Sequence, residues 1–235
     1  MGTHAAIRSF FLSGPVGRLE ALLNVGAPEA THAALVCHPH PLFGGTMHNK
    51  VVFQIMKALH ALGFPVLRFN FRGAGASEGE HDQGRGEVED VRAAIDWLGR
   101  EFHLPIICAG FSFGASAGLR AGCPDPRVVA LISVGTPVHV DGRTYRYRYL
   151  AECAKPKLFI SGDQDEFGPR DALQALFENA AEPKKIVLVE GAGHFFHGKL
   201  GEVRRAIDEW LPQVLEAGSR QTPLQSPTKK WDLPL

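Results

Sequence analysis

Apolar residues along this chain fall in short, nearly unbroken runs. Between the runs, they recur every three or four positions. The runs are AALVCH (33–38), PVLRFNF (65–71), PIICAG (105–110), VVALISVG (128–135), KLFISG (157–162) and KIVLVEG (185–191). Continuous hydrophobicity over so few residues predicts strands buried on both faces, as in a parallel sheet. The intervening segments 49–63, 86–102, 115–122, 169–180 and 200–218 have helical spacing. In the first, Val52, Ile55, Met56 and Leu59 precede a stop at Gly63. In the second, Val88, Val91, Ala94, Ile95 and Leu98 form the apolar stripe of an amphipathic helix. Strand–helix alternation with short links predicts an α/β fold with a doubly wound, mostly parallel sheet.

Upstream, AIRSFFLSG and GRLEALLNVG alternate in polarity and meet at Gly14-Pro15. Gly-Pro is a turn signal, so these two runs predict an N-terminal antiparallel hairpin. The final stretch, 219–235, contains Pro, Gln and Lys and has little periodicity. It is expected to be a poorly ordered or loosely docked tail after one domain spanning 1–218.

Composition narrows the classes. The 235 residues suit one large domain, and 45% hydrophobic with 21% charged residues is ordinary for a globular core. Lys and Arg number 25, and so do Asp and Glu, giving no net charge. That balance argues against nucleic acid or an anionic membrane as partner. No apolar run approaches the roughly 18 residues that span a bilayer. The N-terminal MGTHAAIRSFF has no signal-peptide core, and Ala6 stands where myristoylation wants Ser or Thr. Cys37, Cys108, Cys123 and Cys153 are widely spaced without a CxxC pair. Three of them sit in or beside apolar segments and read as buried free thiols, which makes a reducing cytoplasmic setting the simplest expectation.

The candidate chemistry starts at GFSFG (110–114), which follows the run PIICA and precedes ASAGLRAG. In an open α/β sheet, ligands bind beyond the carboxyl ends of strands. A Gly-x-Ser-x-Gly turn there forces the Ser112 hydroxyl into the crevice from a strained backbone. Side chains at 110 or 114 would collide with the neighbouring strand or helix. The helix that follows aims N–H groups and the positive end of its dipole at any anion forming on a substrate.

With HPHPLFGGTMHNK (38–50) and RFNFRGAGASEG (68–79) added to this turn, the chain resembles the α/β-hydrolase family over roughly residues 30–215. It is most similar to small, lid-poor members carrying HPHPLxGGTMxNK and RFNFRGxGxSEG. The resemblance implies an esterase-like serine hydrolase with Ser112 as nucleophile.

A serine hydroxyl needs a general base, and an imidazole with an ordinary pKa of about 6.5 suits that task. His194, in VEGAGHFFHG (189–198) just past the last predicted strand, occupies the loop that carries the family's catalytic histidine. His197 is its rival. The acid is expected between Ser and His in chain order. FISGDQDEFGP (159–169) offers Asp163, Asp165 and Glu166. The family's Gly-x-x-Asp followed by Pro favours Asp165, with Asp163 second and Asp141 third. The acid would fix the imidazole tautomer and stabilise the imidazolium. Two oxyanion donors are expected, the backbone N–H groups of Phe113 and His40. Pro41 has no N–H to donate. Pro39 stands where the family often has Gly.

His38, His40 and His48 also raise metal binding, but no Asp, Glu or Cys lies near them in sequence, and no metal is expected. GGTMHNKV lacks the P-loop frame. No cofactor is required.

The segment that hosts caps in this fold, 136–156, is only 21 residues long. It has room for one short helix and no large cap domain, so the cleft should be open. Within it, RTYRYRYL (143–150) alternates Arg143, Arg146 and Arg148 with tyrosines. The tyrosines are expected to pack inward and the arginines to face water. Alternatively, one arginine reaches the pocket rim and favours acidic esters. The glycine-rich FRGAGASEGEHDQGRGE (71–87) should support the site's edge. These readings favour a carboxylesterase-like hydrolase of small acyl esters. Thioester or peptide cleavage by the same groups, or a binding protein on the same fold, are the alternatives.

Overall fold

The computed structural model describes residues 6–140 and 143–221. Two strands open the chain, β1 (Ile7–Gly14) and β2 (Gly17–Asn24), followed by β3 (Ala33–Cys37), helix α1 (Lys50–Ala61) and β4 (Val66–Phe69). Next come α2 (Gly86–Phe102), β5 (Ile106–Phe111), α3 (Phe113–Gly122) and β6 (Val128–Val134). Two-residue strands β7 (His139–Val140) and β8 (Arg143–Thr144) pair with each other as a small antiparallel ribbon. The chain then runs through β9 (Lys157–Gly162), α4 (Arg170–Asn179), β10 (Lys184–Val189) and α5 (Leu200–Gln221).

The eight-stranded sheet has the order β1-β2-β4-β3-β5-β6-β9-β10. β1 and β2 form the antiparallel hairpin, and β2 joins β4 antiparallel. From β4 to β10 every pairing is parallel. The continuous apolar runs explain why. All residues of β3, β4, β5 and β9 are buried, so both faces are covered. β1 lies at the edge, and most of its positions are exposed or half-buried.

The two faces carry separate cores. On one, Val91, Ile95 and Leu98 of α2 and Leu119 of α3 pack with Leu35, Leu67 and Phe69. On the other, Ile55 and Leu59 of α1 and Ile207 and Leu211 of α5 pack with Val36, Ile107 and Ile132. Helix α1 is capped by the Asn49 side chain, which accepts the Val51 N–H at 2.8 Å. Helix α3 begins at Phe113, directly after the serine turn. Helix α5 continues past an internal Pro212 to Gln221, beyond the helical spacing read up to 218. From 222 onward, the tail expected at 219–235 lies outside the described residues.

The described residues of 136–156 hold the β7–β8 ribbon and one 3₁₀ turn, Arg148–Ala151, and no cap domain. Among the described residues, no helix is long and apolar enough to cross a membrane. Cys37, Cys108 and Cys153 are buried and Cys123 is half-buried, and all four are free thiols.

Candidate active site

Four strand ends converge at the carboxyl edge of the sheet. Ser112 follows β5, Asp165 follows β9, His194 follows β10 and His40 follows β3. Only Ser112 separates β5 from α3, so the chain must reverse at a single residue. Its φ of 56° and ψ of −122° lie where L side chains rarely go. Such a conformation costs on the order of 1–3 kcal/mol and persists only where the surroundings enforce it. Here the Ser112 N–H donates to the Val134 carbonyl at 2.8 Å, and the Ser112 carbonyl accepts the Ser116 N–H at 3.1 Å. The flanking glycines are sterically required. A Cβ at Gly110 would strike the backbone of Gly114 and Ala115, and one at Gly114 would strike the Cys37 and His38 carbonyls.

The Ser112 hydroxyl lies 2.9 Å from Nε2 of His194. Nδ1 of the same ring lies 2.9 Å from both carboxylate oxygens of Asp165. An ionised carboxylate only accepts, so Nδ1 carries the proton and Nε2 presents its lone pair to the hydroxyl. Asp165 is itself fixed. Its Oδ1 accepts the Phe167 N–H at 2.9 Å and the Gly168 N–H at 3.2 Å, and Oδ2 accepts the Ser161 hydroxyl at 3.3 Å. Asp165 and His194 are each 3% exposed, whereas Ser112 is half-buried and opens on the cleft. The imidazole is walled by Phe111, Phe167 and Phe195, with ring centroids 5.0, 4.6 and 5.1 Å away. Gly135, at φ 55°, completes the wall from the end of β6. A Cβ there would sit 3.1 Å from Cε1 of His194 and 2.9 Å from Phe111.

The other candidates lie apart from this chain of hydrogen bonds. His197 is exposed beside Phe195. Asp163 accepts the Gly191 N–H at 2.8 Å and so ties the β9 loop to the histidine loop. Glu166 is exposed, and Asp141 lies outside the described residues.

His40 caps a 3₁₀ turn, Pro41–Phe43, and its Nδ1 accepts the Leu42 N–H at 3.3 Å. Its ring stands 4.8 Å from those of Phe43 and Phe113. His40 and Phe113 line a cavity of about 210 Å³ together with Ser112, His194, Phe167 and Phe195. His38 points elsewhere. It is fully buried, Nδ1 donates to the Pro39 carbonyl at 2.6 Å, and Nε2 accepts the Phe71 N–H at 2.9 Å. Burial pushes its pKa down to about 4. Both ring nitrogens are therefore engaged by the chain itself, and among the described residues no cluster of metal-ligating side chains forms.

The glycine-rich loop is anchored from below. Arg72 grips Asp90 of α2 with Nε and Nη2 at 2.7–3.1 Å, and both side chains are almost fully buried. In RTYRYRYL, Tyr147 is buried and its hydroxyl donates to the Pro137 carbonyl at 2.7 Å, while Arg146 and Arg148 are exposed. The Arg143 side chain lies outside what is described. Sequence reasoning missed Gly135, Phe167 and Phe195. Gly135 ends an apolar run and Phe167 is two residues from Asp165, but neither position carries a motif that marks contact with an imidazole.

A parallel sheet flanked by helices, with a serine on a strand-to-helix turn, defines a hydrolase class. Residues 33–216 match the family model described as an alpha/beta hydrolase domain, and the chain belongs to this α/β-hydrolase family. It is similar to an α/β serine hydrolase homologue from Coxiella burnetii. Identity is 40% over 89% of this chain and 98% of that one, with a TM-score of 0.79. It is also similar to a lidless α/β serine hydrolase from Xanthomonas campestris, at 34% identity, 90% and 96% coverage and a TM-score of 0.78. An uncharacterized protein of Rickettsia prowazekii is 35% identical, over 86% of this chain and 87% of its own length.

Proposed function

We propose that this chain is a carboxylesterase-like serine hydrolase that cleaves small acyl esters through Ser112, His194 and Asp165. One observation carries this reading: a single buried imidazole bridges the Ser112 hydroxyl and the Asp165 carboxylate at 2.9 Å on either side.

In this mechanism, the Ser112 oxygen attacks the ester carbonyl while its proton passes to Nε2 of His194. The carbonyl oxygen takes up the electron pair and becomes an oxyanion. The backbone N–H groups of Phe113 and His40 are assigned to stabilise it, and losing one such donor typically costs about 10²–10³ in rate. His194 then gives its proton to the leaving alcohol as the C–O bond breaks, leaving Ser112 acylated. Water repeats the sequence: His194 takes its proton, hydroxide oxygen bonds the carbonyl carbon, and Ser112 leaves with the proton returned. Asp165 keeps Nδ1 protonated throughout and stabilises the transient imidazolium.

Fluorophosphonate labelling combined with ester turnover tests the reading. Wild type should be labelled at Ser112 and hydrolyse 4-nitrophenyl esters, and Ser112→Ala should do neither. Matched oxygen-ester, thioester and anilide substrates then fix the bond class, with the oxygen ester expected to react fastest. Labelling without turnover of any substrate would leave a binding protein on this fold.

A further inference from the structure

A second cavity of about 210 Å³ adjoins the first, and Phe113 and Tyr145 line both. Its walls carry arginines from three separate elements: Arg85 from the glycine-rich loop, Arg120 from α3 and Arg146 from the segment after β8. Among the described residues, no acidic side chain lines it. The nearby acids are already engaged. Asp82 lies 3.4 Å from Arg85, and Glu87 accepts the Asp82 and Gly84 N–H groups and lies 2.7 Å from His81. Arg120 stands over the Tyr149 ring, and neither it nor Arg146 makes an ion pair among the described residues.

Arg85 is offset by Asp82, but Arg120 and Arg146 have no carboxylate partner among the described residues, and they leave a net positive potential in the cavity that an anion can relieve. Helix geometry sets the reach. Phe113, Ser116, Ala117 and Arg120 recur at three- and four-residue spacing and so share one face of α3. Phe113 to Arg120 spans about 10 Å of helix at 1.5 Å per residue. An ester docked at Ser112 can therefore reach the second cavity with a chain whose extended length is comparable to this helical span.

We propose that this second cavity is an anion subsite, and that the substrates are esters carrying a carboxylate or phosphate group about 10 Å from the scissile carbonyl. The inference rests on the Ser112 hydrolase reading and adds the substrate class. Arg120 and Arg146 act as binding residues remote from the reacting atoms. Their guanidiniums, which stay charged and fork toward oxyanions, suit either anion. Each is exposed, so screening keeps the individual effect modest.

The test compares mono-4-nitrophenyl suberate with 4-nitrophenyl octanoate, which has the same chain length without the charge. A second pair, the acetate ester of 8-hydroxyoctanoate and octyl acetate, places the anion on the alcohol side. A 4-nitrophenyl monophosphoalkanoate of the same reach distinguishes phosphate from carboxylate. Wild type should favour the charged member of at least one pair by about ten-fold in kcat/KM, mainly through KM, as expected for binding remote from the reaction centre. The Arg120→Gln/Arg146→Gln double variant should lose that preference and keep its rate on the neutral ester within about two-fold. Arg146→Lys should retain part of it. The preference should also shrink with salt, because the Debye length falls from about 10 Å at 0.1 M to about 3 Å at 1 M.

A readout without turnover accompanies these rates. Suberate dianion should raise the Tm of both wild type and Ser112→Ala, and not that of the double arginine variant. An unchanged charged-to-neutral ratio in the double variant, or a suberate shift that is absent or insensitive to the arginines, overturns the subsite. Neutral-ester hydrolysis that survives Ser112→Ala overturns the underlying reading instead.

Discussion

The imidazole of His38 accepts the backbone N–H of Phe71 at 2.9 Å and donates from its other nitrogen to the Pro39 carbonyl. Adding a proton would set a donor against a donor in a fully buried place. Burial accordingly holds the folded-state pKa at about 4, against an ordinary value near 6.5. The unfolded chain takes up this proton first as pH falls, so the contribution to stability is complete above about 6.5 and is lost progressively down to about 4. At full size it is on the order of 3 kcal/mol. Urea unfolding at about pH 7, 5.5 and 4.5 should show a steeper loss in wild type than in His38→Gln. Parallel pH dependences in the two proteins would remove His38 as the cause.

Asp90 faces Arg72 in a buried pair, and its Oδ2 also accepts the Arg72 N–H at 3.1 Å. Removing one partner strands the other charge. Asp90→Ala should cost about 3–5 kcal/mol, and an Arg72→Met/Asp90→Leu double variant should recover much of that. Additive losses in a double-mutant cycle would show that the two groups do not stabilise each other.

Asp165→Asn keeps an oxygen for the Phe167 and Gly168 N–H groups, so the fold should survive. The amide nitrogen placed toward His194, however, favours the tautomer with its proton on Nε2. On the proposed mechanism kcat should fall by about 10⁴. Steady-state kinetics with an unchanged Tm would support this role; a loss below ten-fold would argue that Asp165 is only structural.

Gly135→Ala probes the wall behind the imidazole. Its φ of 55° disfavours any side chain, by roughly 1–2 kcal/mol, and the new methyl would press on His194 and Phe111. A displacement near 1 Å can cost about 10² in rate, so kcat should fall far more than stability does. Fluorophosphonate labelling should slow in step. Equal fractional losses in stability and activity would mean general destabilisation.

The central strands were legible because they are buried on both faces and therefore spell nearly unbroken apolar runs, as AALVC of β3 does, whereas the edge strands β1 and β10 are mostly exposed or half-buried. The β7–β8 ribbon was not legible, since two residues per strand leave no period to read. Helix α5 runs through Pro212, a residue that ordinarily argues for a stop. At the candidate site, the serine turn marked Ser112, and the family resemblance set His194 and Asp165 apart from their neighbours; the three side chains lie within hydrogen-bond distance, each of the next. What stayed hidden was pairing across distance. Arg72 with Asp90, Gly135 against His194, and the Arg85–Arg120–Arg146 cavity each join separate elements, and no local pattern records which surfaces meet.

The 22 residues between β6 and β9 carry a two-strand ribbon and a single turn, and among the described residues no domain arches over the serine. On the proposed ester reading, whatever is tethered to the far end of a docked substrate then extends away from the described fold. Steric filtering acts on the part that enters the pockets and leaves the size of the cargo behind it unrestricted.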